Sequence, residues 1–260
     1  MYSKYPLIDL TSDLIAPFQI GDGISIIEND IRIEDLEKLF LSAYDEQVVK
    51  RPRFCVQIDE TIIEPQKASV LFIVSCRLLK RTKVSILRRV DSAGKVIHIK
   101  DDYPDFPSDF TTRIDSEEFK RISELYSGLL EFSEINNRSK TASFYLSMAY
   151  RVRNAINALL FHVITLETIT SGSMRENENT RKFVDRINHF IGYDKGELKK
   201  IYHARSGIVH GRFNPDKEND TIDFDMISEE VSRKVFNKIL TDRKILDSFI
   251  NDDSRMKLFE

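Results

Sequence analysis

From about residue 115 to about residue 250 the apolar residues of this chain recur at helical spacing, whereas before residue 100 they come in short β-branched runs. A chain whose two halves carry different periods is expected to fold as a strand-bearing part followed by a helical one. The strand-like runs are Phe54–Ile58, Ser69–Leu79, Lys83–Val90 and Val96–Ile99, bounded by basic or turn residues. Asp91-Ser92-Ala93-Gly94 is a turn signal between the last two and predicts a hairpin, hence an antiparallel sheet. Ahead of them Ile33, Leu36, Leu39, Phe40 and Ala43 recur at helical spacing, which makes residues 1–110 an α+β part. Pro104 and Pro107 lie among acidic groups between Asp101 and Thr111, and that stretch is the expected boundary.

Beyond the boundary, Asp115 and Glu118 have the spacing of a capping box, and Phe119, Ile122, Leu125, Tyr126, Leu129 and Leu130 form the stripe of a helix to about Phe132. Thr141 to Thr170 contains neither Gly nor Pro and predicts one long helix buried on several faces. A third helix is expected over Thr180–Ile191, closed by Gly192. A fourth opens at Asp194 with Glu197 as its capping partner and runs to Gly211, and a fifth covers about Met226 to Ile250, broken near Asp242. The expectation is an all-α bundle of about five helices over residues 112–251, with 252–260 as a C-terminal tail.

A length of 260 residues leaves room for both parts, and 41% apolar with 31% charged residues is a globular mixture. The densest apolar run, Val70 to Val74, is far short of the roughly 20 residues that span a bilayer. The first residues carry no apolar segment of the secretory kind, so a cytoplasmic protein is expected. Cys55 and Cys76 form no disulfide framework or zinc motif and are expected to be core thiols. Gly21-Asp22-Gly23 lacks the rest of a dinucleotide fingerprint, no phosphate-loop pattern is present, and no metal constellation stands out, so neither cofactor nor metal is expected.

The net charge of −3 hides an alternation: −7 over residues 1–49, +8 over 50–100, −7 over 101–135 and +3 over 136–260. Within the positive block, Arg77, Lys80, Arg81, Lys83, Arg88 and Arg89 are candidates for contact with the phosphates of RNA, against the simpler reading of a solvated face.

The sharpest anomaly lies in the fourth helix. Ile201, Tyr202, Arg205, Ile208, Val209 and Arg212 follow the spacing of a core-facing stripe, which puts Arg205 among apolar neighbours. A guanidinium there needs an anion, and Glu167 stands in the equivalent oddity of the long helix, among Leu160, Val163, Ile164 and Thr168. His210 follows Arg205 by five residues, roughly 140° further round the helix, so the two flank a cleft. Gly207 between them leaves room for a close approach. His203, two turns from His210, is too far to share a metal with it and is expected to be an exposed accessory group. An imidazole suits proton transfer near neutrality, and a guanidinium suits paired hydrogen bonds to phosphoryl oxygens.

The run Tyr202-His203-Ala204-Arg205-Ser206-Gly207-Ile208-Val209-His210-Gly211, preceded by a helix ending Ile164-Thr165-Leu166-Glu167, resembles the HEPN superfamily, in particular its Apea-like branch. The resemblance covers about residues 112–251 and does not reach the α+β part. It implies a HEPN-like helical bundle that forms a homodimer and a metal-independent endoribonuclease of the kind found in phage defence, toxin–antitoxin and RNA-processing systems. Arg205 and His210 fall on the motif's catalytic pair, with Glu167, Ser206 and Tyr202 as supporting residues. RNA is then the implied partner, alongside an antitoxin or sensor of unknown kind. The alternative from the same residues is a non-catalytic helical interaction or nucleotide-binding module.

Overall fold

The computed structural model describes residues 1–7, 10–31, 52–82, 84–86, 88–98, 111–152, 154–172, 180–213 and 218–260. The helix expected over Ile33 to Ala43, the proline-bearing stretch from Asp101, and Lys83 lie outside the described residues. The chain divides into two compact units, Met1–Ser127 and Gly128–Glu260.

In the first unit, β1 (Tyr2–Pro6), β2 (Phe18–Gly21), β3 (Ile24–Glu28), β4 (Phe54–Asp59), β5 (Arg88–Val90) and β6 (Val96–His98) form one sheet in the order β2-β3-β4-β1-β5-β6. Each neighbouring pair is antiparallel; Tyr5 faces Val56 across β1 and β4, and Ile26 faces Val56 across β3 and β4. The first three strands had no counterpart in the sequence reading. β4 is buried at Phe54, Cys55, Val56 and Ile58, without the alternation of a half-solvated strand, because the sheet is covered on both faces there. Asp91, Gly94 and Lys95 close the expected β5–β6 hairpin: Asp91 Oδ1 accepts the N–H groups of Ala93 and Lys95, and Gly94 takes the left-handed φ of 77° that such a turn requires.

The run Ser69–Leu79 is not a strand. It belongs to α1 (Pro65–Leu79), which packs against β4. The Glu64 carboxylate caps the helix by accepting the N–H groups of Gln66 and Lys67, and Pro65 occupies the first position, where a missing N–H costs nothing. Nearly the whole segment from Ala68 to Leu78 is buried, so α1 has no polar face, and a continuous apolar run cannot be told from a buried strand by its period. Of the strand expected from Lys83 to Val90, the described residues form one at Arg88–Val90; the Val84 N–H goes to Thr82 Oγ1 at 3.2 Å rather than to a neighbouring strand.

The helices that follow are α2 (Ser116–Ile135), α3 (Asn137–Ala149), α4 (Ala155–Thr170), α5 (Thr180–Ile191), α6 (Lys195–Val209), α7 (Glu218–Thr241), α8 (Arg243–Ser248) and α9 (Asp252–Met256). α2 starts on the predicted reciprocal cap, Asp115 N–H to Glu118 Oε2 at 3.0 Å and Glu118 N–H to Asp115 Oδ1 at 2.9 Å. The division of the chain falls inside this helix rather than at residues 101–111. Phe119 packs on Phe18 of β2, and the Ser123 hydroxyl donates to the Ile20 carbonyl, which ties the first half of α2 to the sheet unit. Phe132, near its end, meets Phe236 and Phe249 of the helical unit.

The single long helix expected over Thr141–Thr170 is two helices. α3 ends at Ala149 and α4 begins on Asn154, whose side chain accepts the Asn157 N–H. The third, fourth and fifth predicted helices correspond to α5, α6 and α7 with α8, the last pair separated at Asp242, which caps α8 through the N–H groups of Lys244 and Ile245. Residues 252–260 are no loose tail: they contain α9, Arg255 is 1% exposed, and the Phe259 ring lies 4.9 Å from that of Phe190. No helix among the described residues is long and apolar enough to cross a membrane.

Two consequences are testable. A Cβ on Gly128 would sit 2.7 Å from the Leu240 carbonyl oxygen, whereas one on Gly207 would have 3.7 Å to its nearest neighbour. Gly128→Ala is therefore expected to destabilise by about 1–3 kcal/mol despite its better helix propensity, and Gly207→Ala to leave the urea midpoint unchanged or raised. Cys55 and Cys76 are buried free thiols whose pKa burial pushes up to about 12. Iodoacetamide at pH 8 is expected to label neither in the folded protein and both in urea.

Candidate functional site

α6 is set by the Asp194 cap, which accepts the Glu197 N–H at 2.9 Å, and by burial of Leu198, Ile201 and Ala204. These three, rather than Tyr202, Val209 and Arg212, are the buried face; Val209 is 56% exposed and Arg212 is exposed. The inferred stripe is thus rotated, and Arg205 sits at its edge. The reason is that α6 lies against α4 on one side and α5 and α7 on others, so its covered surface is broad near Ile201 and ends before His210.

α4 buries Leu159, Val163, Leu166 and Ile169, which leaves Glu167 half-buried toward α6. Arg205 Nη2 donates to Glu167 Oε2 at 3.0 Å, with side chains 26% and 17% exposed. The expected pairing is present, at a partly wet contact rather than in a dry core. The Arg205 guanidinium carbon lies 6.0 Å from the centre of the Tyr202 ring, which in turn packs on Phe183 of α5 at 4.9 Å. Tyr202 thereby limits where the guanidinium can go.

Glu167 is the one hydrogen-bond acceptor that Arg205 has among the described residues, and Arg205 Nε is shut away from solvent without a partner. Arginine carries five N–H donors in a rigid fork, so most of them are not committed to a described residue. A desolvated, unsatisfied Nε–H is costly, and the outer N–H groups that Glu167 does not take are the ones an anion could reach.

His210 ends α6 as its C-cap, with φ −94° and ψ 9°, and its backbone N–H donates to the Ser206 carbonyl at 3.0 Å. Ser206 thus holds the backbone of the last turn. Gly211 then takes φ 66°, and the chain folds back so that Arg212 and Phe213 donate their N–H groups to the Gly207 carbonyl at 2.7 and 3.1 Å. This closed end presents the His210 side chain to solvent, and the imidazole has no partner among the described residues. His203 is exposed as expected. Among the described residues no group of three or more His, Cys, Asp or Glu could hold a metal ion.

Among the described residues, several of the candidate basic side chains of the first unit are buried or paired. Arg77 is 4% exposed in α1. Lys80 pairs with Glu118, while Arg89 donates to Ser3 Oγ at 2.7 Å and to Glu60 Oε1 at 3.2 Å. Arg81 is half-buried, and Arg88 stands opposite His98 in the β5–β6 pair. Counting charges along the chain missed that carboxylates distant in sequence meet Lys80 and Arg89.

Sequence reasoning also missed His162, buried on α4 with Nδ1 3.1 Å from Ser232 Oγ and its ring edge-on to Tyr150 at 5.1 Å. Its position on the apolar stripe was the available signal. It missed Arg138 and Arg255 as well, which gather at the end of α4.

Breaking a fully buried ion pair costs roughly 3–5 kcal/mol. With both side chains partly exposed, Arg205→Met is expected to cost about 1–3 kcal/mol in urea unfolding, and Arg205→Met with Glu167→Gln together less than the sum of the two. Additive effects would contradict a working pair. No family model, curated protein or solved structure matches the chain.

Proposed function

We propose that the helical unit is a HEPN-type endoribonuclease that cleaves RNA without a metal ion, with Arg205 and His210 as its catalytic residues. The observation that carries this reading is the under-used guanidinium of Arg205, anchored by Glu167 on one nitrogen, on the same helix whose closed end presents an unpartnered imidazole to solvent.

RNA supplies its own nucleophile, the 2′-hydroxyl. Its oxygen bonds to phosphorus, the bond from phosphorus to the 5′-oxygen breaks, one proton leaves the 2′-oxygen and one arrives at the 5′-oxygen. The products are a 2′,3′-cyclic phosphate and a 5′-hydroxyl. Arg205 neutralises the phosphorane oxygens, whose charge grows in the transition state, so its donors act where they lower the barrier. His210 serves one of the two proton transfers. A single imidazole cannot be base and acid at the same instant, and a second copy of the chain related by a two-fold axis supplies the other. Glu167 holds the guanidinium fork, and Tyr202 walls its position. RNA binding is assigned to this end of α6 rather than to the basic residues of the sheet unit, whose partners include Glu60 and Glu118. Homodimeric nucleases of this chemistry suit phage defence or toxin–antitoxin roles, and that is the setting proposed.

In EDTA, wild-type protein is expected to cut a pool of single-stranded RNAs. His210→Ala, at an exposed position, should lose at least about a hundredfold in rate with an unchanged thermal melt. No cutting by the wild type, or equal cutting by His210→Ala, would favour the non-catalytic interaction or nucleotide-binding module.

A further inference from the structure

The last turn of α4 is gripped from outside by two arginines. Arg255, on α9 and 1% exposed, donates from Nη1 to the Ile169 carbonyl at 2.6 Å and from Nη2 to the Ser171 carbonyl at 2.8 Å. Arg138, on α3, donates from Nη1 to the Thr168 carbonyl at 2.9 Å and from Nη2 to the Gly172 carbonyl at 3.1 Å. Asp252 lies between the two cations, 3.1 Å from Arg255 and 3.3 Å from Arg138. Helix ends leave carbonyls without intrahelical partners, and cations are favoured there by the helix dipole. Ordinarily one side chain or water does this at the surface. Here a fully buried guanidinium is committed to it, and burial works against its cationic form, with Arg138 alongside adding to the effect.

The gripped turn is the one that carries Glu167. The Ser171 N–H donates to the Glu167 carbonyl at 2.8 Å, and the Ser171 hydroxyl donates to the same oxygen. Arg255 thus holds Ser171 by its carbonyl, and Ser171 holds the backbone of Glu167 by its amide. A carboxylate that must keep a 3.0 Å contact with Arg205 tolerates little fraying of its own turn.

We infer that Arg255, acting with Arg138 and Asp252 through the last turn of α4, is a positioning residue for the Glu167–Arg205 pair, so that α9 is part of the site's construction. The catalytic consequence rests on the ribonuclease reading; the mechanical one does not.

The test separates the two. Urea unfolding of Arg205→Met, Glu167→Gln and the double variant gives the coupling between the pair, measured once in the wild-type background and once with Arg255→Lys, which keeps the charge and loses the fork. The coupling is expected to fall below half in the Arg255→Lys background. Asp252→Asn, at a carboxylate 59% exposed, is the second background should Arg255→Lys fail to fold, with a smaller loss in the same direction. Where RNA is cut, the same backgrounds should lower kcat about tenfold with KM within twofold, since a displaced guanidinium weakens the transition state more than binding. Loss of stability with an undiminished coupling would make Arg255 a helix cap only and overturn the inference. Absence of cutting by the wild type would defeat the ribonuclease reading while the coupling still decides the positioning role.

Discussion

One ion pair joins the two helices on which the proposed site is built. Arg205 Nη2 meets Glu167 Oε2 where α4 and α6 cross, and both side chains are only partly exposed. Partial burial makes either charge less favourable there without the other. The pair therefore constrains how α6 sits on α4. It fixes the guanidinium while leaving most of its donors uncommitted, an arrangement suited to receiving a phosphate as well as to stabilising a bundle.

The surroundings of the pair all act on its geometry. Tyr202, backed by Phe183, limits the guanidinium from one side. Arg138 and Arg255 donate to carbonyls of the last turn of α4, which carries Glu167. The end of α6 is closed by the His210 cap and the left-handed Gly211, and the His210 side chain is exposed there. α9, Asp252 to Met256, is tied to this construction by the most deeply buried charged side chain of the described residues, Arg255.

Much of this was legible where local chemistry decides the outcome. The caps at Asp115, Asp194 and Asp242 and the stop at Gly192 stand where their residue types predict, because capping depends on residues three or four apart. Glu167 and Arg205 were legible as partners because each is a lone charge among apolar residues at helical spacing, although the buried faces of α4 and α6 are rotated from the stripes so read and both residues stand at their edges. What failed depends on the fold as a whole. α1 is covered on nearly every side, so its sequence carries no helical period and its β-branched run reads as a strand. The break between α3 and α4 has no Gly or Pro to announce it and rests on Asn154 serving as a cap. The positive block of the sheet unit looked like an open surface because Glu60 and Glu118, which meet Arg89 and Lys80, are remote from them in sequence. Arg255 is surrounded in sequence by polar residues and shows its burial only once α4 is beside it.

Whether Arg205 and His210 promote attack by the 2′-hydroxyl of RNA is read from the chemistry of the product ends. Short oligoribonucleotides, intact or with a single 2′-deoxy sugar at the cleaved position, would be incubated with the protein in EDTA and their ends identified by mass spectrometry. Attack by the 2′-hydroxyl gives a 2′,3′-cyclic phosphate and a 5′-hydroxyl from the intact RNA and no cut at the deoxy sugar. A 5′-phosphate product, or cleavage at the 2′-deoxy position, would contradict it.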